Sequence, residues 1–230
     1  LMISKKTGPT DLVTQMDQQV QKDLVEKITH RYPEDRIFAE EDGLRSPISE
    51  GSVWVIDPID GTNNFVTQKE DFAVMVAYFE DGIGQFGLIY DVMRDHLFYG
   101  GGEFPVYRNE VELTPFVDQP LENFLIASNV GMLEKNDWGM ADLGMDSLGI
   151  RVYGSAGISF SKILSGGILA YFSYIWPWDY AAADIMGEQL GYTVLNLNGD
   201  KPNYQTVEPI MMVPKVKLTE IQTYLKKGRS

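Results

Sequence analysis

Between Thr14 and Tyr32 the apolar residues Met16, Val20, Leu24 and Ile28 recur every fourth position. That spacing predicts an amphipathic helix, which Pro33 ends. The period then shortens. Ile37–Ala39 reads as a short strand running into Glu40-Glu41-Asp42, and Ser52–Ile56 as a strand stopping at Asp57-Pro58. Phe72–Phe79 is almost continuously apolar, the pattern of a strand buried on both faces. Further strands are predicted over Gly84–Val92, His96–Tyr99 and Val106–Leu113. A connector with Pro115 and Pro120 follows. Beyond it strands (Phe124–Ser128, Arg151–Tyr153, Ala170–Ile175, Thr193–Leu197, Glu208–Val213) alternate with helices (Gly157–Ser165, Asp179–Leu190, Leu218–Lys227). Gly131 to Gly149 is Gly- and Met-rich and reads as a loose segment that shapes whatever pocket lies beside it. The expected fold class is mixed α and β, in layers. The expected division is an N-terminal α+β subdomain, 1–120, and a C-terminal α/β subdomain, 121–230, with the site between them.

Composition narrows the chemistry. With 230 residues and 44% hydrophobic positions, the chain can bury a core without staples. It has no cysteine, which excludes disulfides, thiolate metal sites and a cysteine nucleophile. Only His30 and His96 occur, too far apart for metal-ligand spacing. The formal net charge of −14 repels nucleic-acid phosphates, so no nucleic-acid partner is expected. It equally means that a phosphorylated ligand needs local neutralisation, for which a divalent cation is the natural agent. The longest charge-free stretch, Ile163 to Trp178, is interrupted by Ser165, Gly166, Gly167 and Pro177, so no membrane span is expected. No signal peptide is visible, and the expected location is cytoplasmic.

Four motifs carry candidate chemistry. In Asp57-Pro58-Ile59-Asp60-Gly61-Thr62 an apolar strand delivers two carboxylates three residues apart, at a turn that Pro58 and Gly61 permit. Hard divalent cations take oxygen ligands of this kind. Thr62 lies where a helix could begin, and free backbone N–H groups there favour an anion. Glu40-Glu41-Asp42 is by itself an ordinary acidic run. In Trp178-Asp179-Tyr180-Ala181-Ala182-Ala183-Asp184, Asp179 would open a helix as its N-cap. Thr14 and Asp17 fit a variant capping box, and taken alone that segment is structural. A twelve-residue calcium loop starting at Asp57 is not met, because it would end at Gln68.

Taken together, the order and spacing of these motifs resemble the inositol monophosphatase family of magnesium-dependent, lithium-sensitive phosphatases, from about Lys6 to Val213. The family's opening helix would precede Leu1. The resemblance implies a layered α-β-α-β-α fold and hydrolysis of a small phosphate monoester by metal-activated water. It implies metal ligation by Glu40, Asp57, the Ile59 carbonyl, Asp60 and Asp179, with two or three Mg²⁺ ions and inhibition by Li⁺. Thr62, oriented by Asp17, would align the attacking water, and Glu40 would share in catalysis. Lys6, Asp60, Gly61, Thr62, Gly154, Ser155 and Ala156 would contact substrate. A glutamate that binds a sugar hydroxyl in some members lies seven residues before the metal-binding aspartate. Phe172 stands at that spacing here and is expected among the substrate-binding residues, packing against a larger apolar or aromatic group, which tilts the expectation away from strict inositol specificity. A homodimer is implied, and a non-catalytic regulatory or binding role is the alternative. Without metal, each pair of like charges about 4 Å apart repels by roughly 1 kcal/mol in water and about 4 kcal/mol at an effective dielectric near 20. Metal is therefore expected to bind before substrate.

Overall fold

The computed structural model describes residues 3–5 and 12–227. A short antiparallel pair, β1 (Ile3–Lys5) and β2 (Leu12–Thr14), leads into α1 (Gln15–Arg31). The Thr14 hydroxyl accepts from the Met16 and Asp17 amides, and the Asp17 carboxylate accepts from the Thr14 amide. The expected capping box is thus formed.

The first sheet has seven strands in sequential order: β3 (Arg36–Ala39), β4 (Ser52–Asp60), β5 (Ala73–Glu80), β6 (Ile83–Asp91), β7 (His96–Gly101), β8 (Phe104–Arg108) and β9 (Val111–Glu112). Only β3 and β4 run parallel. A short helix, α2 (Thr62–Thr67), follows β4. The second sheet is built from β10 (Leu125–Ser128), β11 (Gly149–Arg151), β12 (Tyr171–Ile175), β13 (Tyr192–Asn196) and β14 (Glu208–Pro214), in the order β11-β10-β12-β14-β13. Its helices are α3 (Val130–Glu134), α4 (Met140–Asp146), α5 (Ala156–Leu164), α6 (Pro177–Gln189) and α7 (Leu218–Lys227).

The layers follow from which faces are apolar. α5 and α6 are buried on nearly every side, and they fill the space between the sheets. Their core joins Val55, Met75 and Ile89 of the first sheet to Tyr171, Ile210 and Met212 of the second. α1 covers the outer face of β3 and β4 through Ile28, Ile37 and Ile56. α4 and α7 cover the outer face of the second sheet through Leu143, Ile221 and Leu225. The result is the expected α-β-α-β-α stack. Among the described residues no helix is long and apolar enough to cross a membrane.

Three local expectations are corrected. Val106–Leu113 is two strands, because Asn109 takes a left-handed φ of 53° and turns the chain. Gly131 to Gly149 is not loose: it holds most of α3 and all of α4, whose Met132, Met140 and Leu143 are core residues. Met132 and Met140 fill that core, while Met145 is exposed. β4 does not stop at Asp57 but continues to Asp60 across a register shift.

Gly87 on β6 is a point of close approach between α6 and the first sheet. A Cβ there would lie 2.3 Å from the Ala182 carbonyl oxygen and 2.9 Å from its Cα. Gly87→Ala is therefore expected to destabilise the protein by about 1–3 kcal/mol through overpacking. Denaturant unfolding measures this. A change within about 0.5 kcal/mol, as for an ordinary surface site, would contradict the close approach.

Candidate active site

Alternate residues of a strand face opposite ways, so positions i and i+3 of a regular strand diverge. The register shift between Asp57 and Asp60, at Pro58 and Ile59, removes that constraint. A proline has no N–H to lose from the ladder, which suits it to such a break. Both carboxylates then turn to one place, where Asp179 joins them from α6. Ligand atoms of Asp57, Asp60 and Asp179 lie within 4.8 Å of one another.

Each carboxylate is held by its own scaffold. Asp60, 6% exposed, accepts from the Ser155 hydroxyl and from the amides of Ala156 (3.0 Å) and Gly157 (2.8 Å). These groups form the N-terminus of α5, where the helix dipole favours a carboxylate. Ser155 is also the N-cap, accepting from the Ile158 amide. Asp179 is not the N-cap that the sequence suggests. α6 begins one turn earlier, with Trp176 as cap and Pro177 in the first turn, and Asp179 reaches back to the Trp176 amide at 2.7 Å. Proline fits there because its missing N–H would have had no partner. Asp57 is 1% exposed, and its Oδ1 is buried without a hydrogen-bond partner among the described residues.

Glu40, at the end of β3, is tied to β4 by its amide, which donates to the Ile56 carbonyl at 3.1 Å. Its carboxyl lies beside Asp57 and hydrogen-bonds to it. Burial pushes Asp57 and Asp179 well above the ordinary carboxylate range, and the neighbouring acids push them further. Asp60 is raised by burial against the opposing effect of its three hydrogen bonds. A buried carboxylate oxygen with no donor, inside a cluster of raised acids, is the environment that a hard divalent cation completes.

Beside the cluster, the Thr62 hydroxyl donates toward Asp17 Oδ1 at 3.0 Å and the Ile59 carbonyl at 3.1 Å. Asp17 is fully buried and serves two purposes: one oxygen caps α1 and the other holds Thr62. Gly61 takes φ 86°, and a Cβ there would press on Ser155 at 3.0 Å. A cavity of about 310 Å³ opens above Asp60 and Asp179, lined by Ser128, Asn129, Gly154, Ser155, Ala156 and Tyr171, among others.

The geometry thus brings together Asp17, Glu40, Asp57, Ile59, Asp60, Gly61, Thr62, Gly154, Ser155, Ala156 and Asp179. Lys6 lies outside the described residues. Phe172 does not belong to the site. Its side chain is fully buried in the core beneath α4 and α7, on the far side of the second sheet. β12 alternates, so Tyr171, Ser173 and Ile175 face the cavity. Counting seven residues back from Asp179 missed this. Ser173, six residues back, faces the cavity where Phe172 does not.

A sequence model of the inositol monophosphatase family matches residues 1–227. The chain belongs to the inositol monophosphatase family. It is 37% identical over 206 residues to the inositol-1-monophosphatase of Bacillus subtilis (strain 168), covering 87% of this chain and 78% of the relative. It is 30% identical to inositol monophosphatase 1 of Rattus norvegicus, over 84% of this chain and 74% of the relative. Among solved structures it is similar to inositol monophosphatase II from Staphylococcus aureus MSSA476 (TM-score 0.87, 31% identity, 95% of this chain and 84% of that one). It is also similar to an IMPase/NADP phosphatase complexed with Mg²⁺ and phosphate (TM-score 0.90, 25% identity, 97% of this chain and 85% of that one).

The raised carboxylates set the pH response of this family member without metal. A group whose folded pKa exceeds its unfolded value contributes stability that is complete below the unfolded pKa and is lost as pH rises through the folded one. In EDTA, the cluster is therefore expected to add most to Tm at a low pH, near the unfolded carboxylate value of about 4, and less at a higher, neutral pH. Asp57→Asn should raise the Tm of the metal-free protein at the upper pH and shrink the increment that millimolar Mg²⁺ adds. Thermal unfolding with and without Mg²⁺ checks both. A wild-type increment no larger at the upper pH than at the lower would contradict the assignment.

Proposed function

We propose that this chain hydrolyses small phosphate monoesters, with Mg²⁺ held by Asp57, Asp60, Asp179, Glu40 and the Ile59 carbonyl. The observation that carries the reading is the buried, donor-less Asp57 oxygen among converging carboxylates, within reach of a Thr62–Asp17 pair. Mg²⁺ bound there supplies the positive charge that offsets the carboxylates, polarises the phosphoryl group and makes water a better nucleophile.

The chain's own residues do the rest. Asp17 Oδ1 accepts from the Thr62 hydroxyl and so fixes the Thr62 proton on its own side. The Thr62 oxygen can then accept a hydrogen bond from the attacking water and aim that water at phosphorus; as the water gives its proton to Thr62, the Thr62 proton passes to Asp17. Glu40 holds a second carboxylate beside Asp57 for the same water. Gly61 and Thr62 hold the phosphate through backbone groups. Gly154, Ser155, Ala156 and Asp60 contact the alcohol. Attack is direct and in line, with no covalent enzyme intermediate. Phosphate monoesters hydrolyse among the slowest of uncatalysed reactions, so positioning and electrostatics carry the rate enhancement.

The substrate is an inositol phosphate or a related sugar or nucleotide phosphate. Ser173, not Phe172, is the residue that meets the hydroxyl-bearing group. The reading extends to two or three ions per site, inhibition by Li⁺, a homodimer in the cytoplasm, and a site between halves 1–120 and 121–230.

Phosphate release is measured with and without Mg²⁺ from inositol 1-phosphate, fructose 1,6-bisphosphate, NADP⁺ and adenosine 3′,5′-bisphosphate. Turnover of at least one, strictly Mg²⁺-dependent, is expected. Asp60→Asn should lower kcat/KM by roughly 100- to 1,000-fold. Thr62→Ala should lower kcat by roughly 100-fold or more while leaving Mg²⁺ affinity in place. Metal-independent turnover, or full activity in Asp60→Asn, would refute the assignment.

The correction at β12 has its own test. Phe172→Ala is expected to lose about 3–5 kcal/mol of stability and to keep the order of substrate preference. Ser173→Glu should change that order. Steady-state kinetics on the same panel decides, and a reordering by Phe172→Ala alone would reverse the assignment.

A further inference from the structure

Arg45 closes the turn that carries Glu40. Asp42 and Gly43 both take left-handed φ values, 58° and 67°, and bring the chain back so that the Ala39 amide donates to the Leu44 carbonyl at 3.0 Å. Phe38 and Arg45 form an isolated antiparallel bridge. The guanidinium then folds over the turn. Nη1 donates to the Ala39 carbonyl and to the Leu44 carbonyl (2.9 Å), and Nη2 to the Glu40 carbonyl (3.4 Å).

Its other face meets the opposite half of the site. The guanidinium carbon lies 4.6 Å from the centre of the Trp178 ring, 5.9 Å from Trp176 and 5.5 Å from Phe38. Trp176 and Trp178 stack on each other at 4.7 Å and 10°. These two rings bracket Pro177 at the start of α6, directly before Asp179. One side chain therefore touches both the turn bearing Glu40, from the first sheet, and the helix start bearing Asp179.

We infer that Arg45 is a positioning residue, which sets Glu40 relative to Asp179 by bonding the carbonyls of one segment and stacking on the indoles of the other. The inference rests on the divalent-cation reading of the site. A planar fork is needed, because a guanidinium can donate in its plane while its face lies on a ring. Lysine keeps the charge but cannot do both, and methionine keeps only the length. The hydrogen bonds of Arg45 to this turn go to backbone carbonyls, so its loss should appear first in metal affinity.

The test is a Mg²⁺ titration without substrate, by calorimetry, on wild type, Arg45→Lys, Arg45→Met and Arg45→Ala, each first shown to be folded by its thermal transition in EDTA. Affinity is expected to fall about tenfold in the Met and Ala variants, the low end of what outer supports of metal ligands contribute, with Lys between them and wild type. At saturating Mg²⁺, kcat should fall by a smaller factor than the affinity does, since a bound ion helps hold Glu40 in place of the lost support. Trp178→Leu, or the gentler Trp178→Phe if Leu does not fold, should weaken Mg²⁺ binding too. Combining it with Arg45→Ala should then add little, since the two residues act as one contact. Unchanged Mg²⁺ affinity in Arg45→Ala, or losses that multiply in the double variant, would overturn the inference. Wild type that binds no Mg²⁺ would instead fail the reading on which it rests, and the inference with it.

Discussion

Three carboxylates within 4.8 Å of one another repel, and inside a protein they do so with little water to screen them. Most of the architecture around them can be understood as a set of restraints against that repulsion. Asp60 is tied to the N-terminus of α5 by three hydrogen bonds. Asp179 is tied to the first turn of α6. Asp57 is left with a buried oxygen that no described residue satisfies. The fold thus keeps the acids together while leaving one of them incomplete, and that combination favours a cation over a closed hydrogen-bond network.

The same restraints give the cluster its second use. Asp60 belongs to the first sheet and α5 lies against both, so the bonds from Asp60 to Ser155, Ala156 and Gly157 also fix the cavity wall. Asp17 likewise couples the cap of α1 to Thr62 at the start of α2. Groups that look structural in isolation are the ones that set the geometry of the reacting groups. This is why weighing a cap against a catalytic role for Asp17 posed a false alternative: a carboxylate has two oxygens, and the two jobs use different ones.

What was legible in the chain was what local chemistry determines. Pro58 and Gly61 mark a break after an apolar strand, and the two aspartates beside it converge. Thr14 and Asp17 cap their helix as read. The periodicities located the strands and long helices within a few residues. Phe172 was misjudged because spacing along the chain says nothing about which face of β12 a residue takes, and one residue of offset inverts the face. Asp179 was placed one turn wrong because Pro177 was not weighed as a first-turn residue. α3 and α4 were missed because their glycines and short length conceal helices that exist only by packing Met132, Met140 and Leu143 into a core. Arg45 left no signal at all. Its partners are backbone carbonyls of its own turn and a ring more than 130 positions away.

The position of α6 is the remaining link between fold and chemistry. It carries Asp179 at one end, and it is wedged between two sheets with Tyr180, Ala181, Ala182 and Ala183 all buried. The three alanines and Gly87 let the helix sit against the first sheet with almost no side chain between them. A helix so placed has little room to slide, because an interior packed at crystal-like density resists displacement. Asp179 is therefore located against Asp57 and Asp60 by backbone-to-backbone contact deep in the core, and not by flexible side chains at the surface. An alanine-rich stretch beside an acidic residue thus has a physical cause: small residues set the distance, and the distance sets whether one cation can be shared.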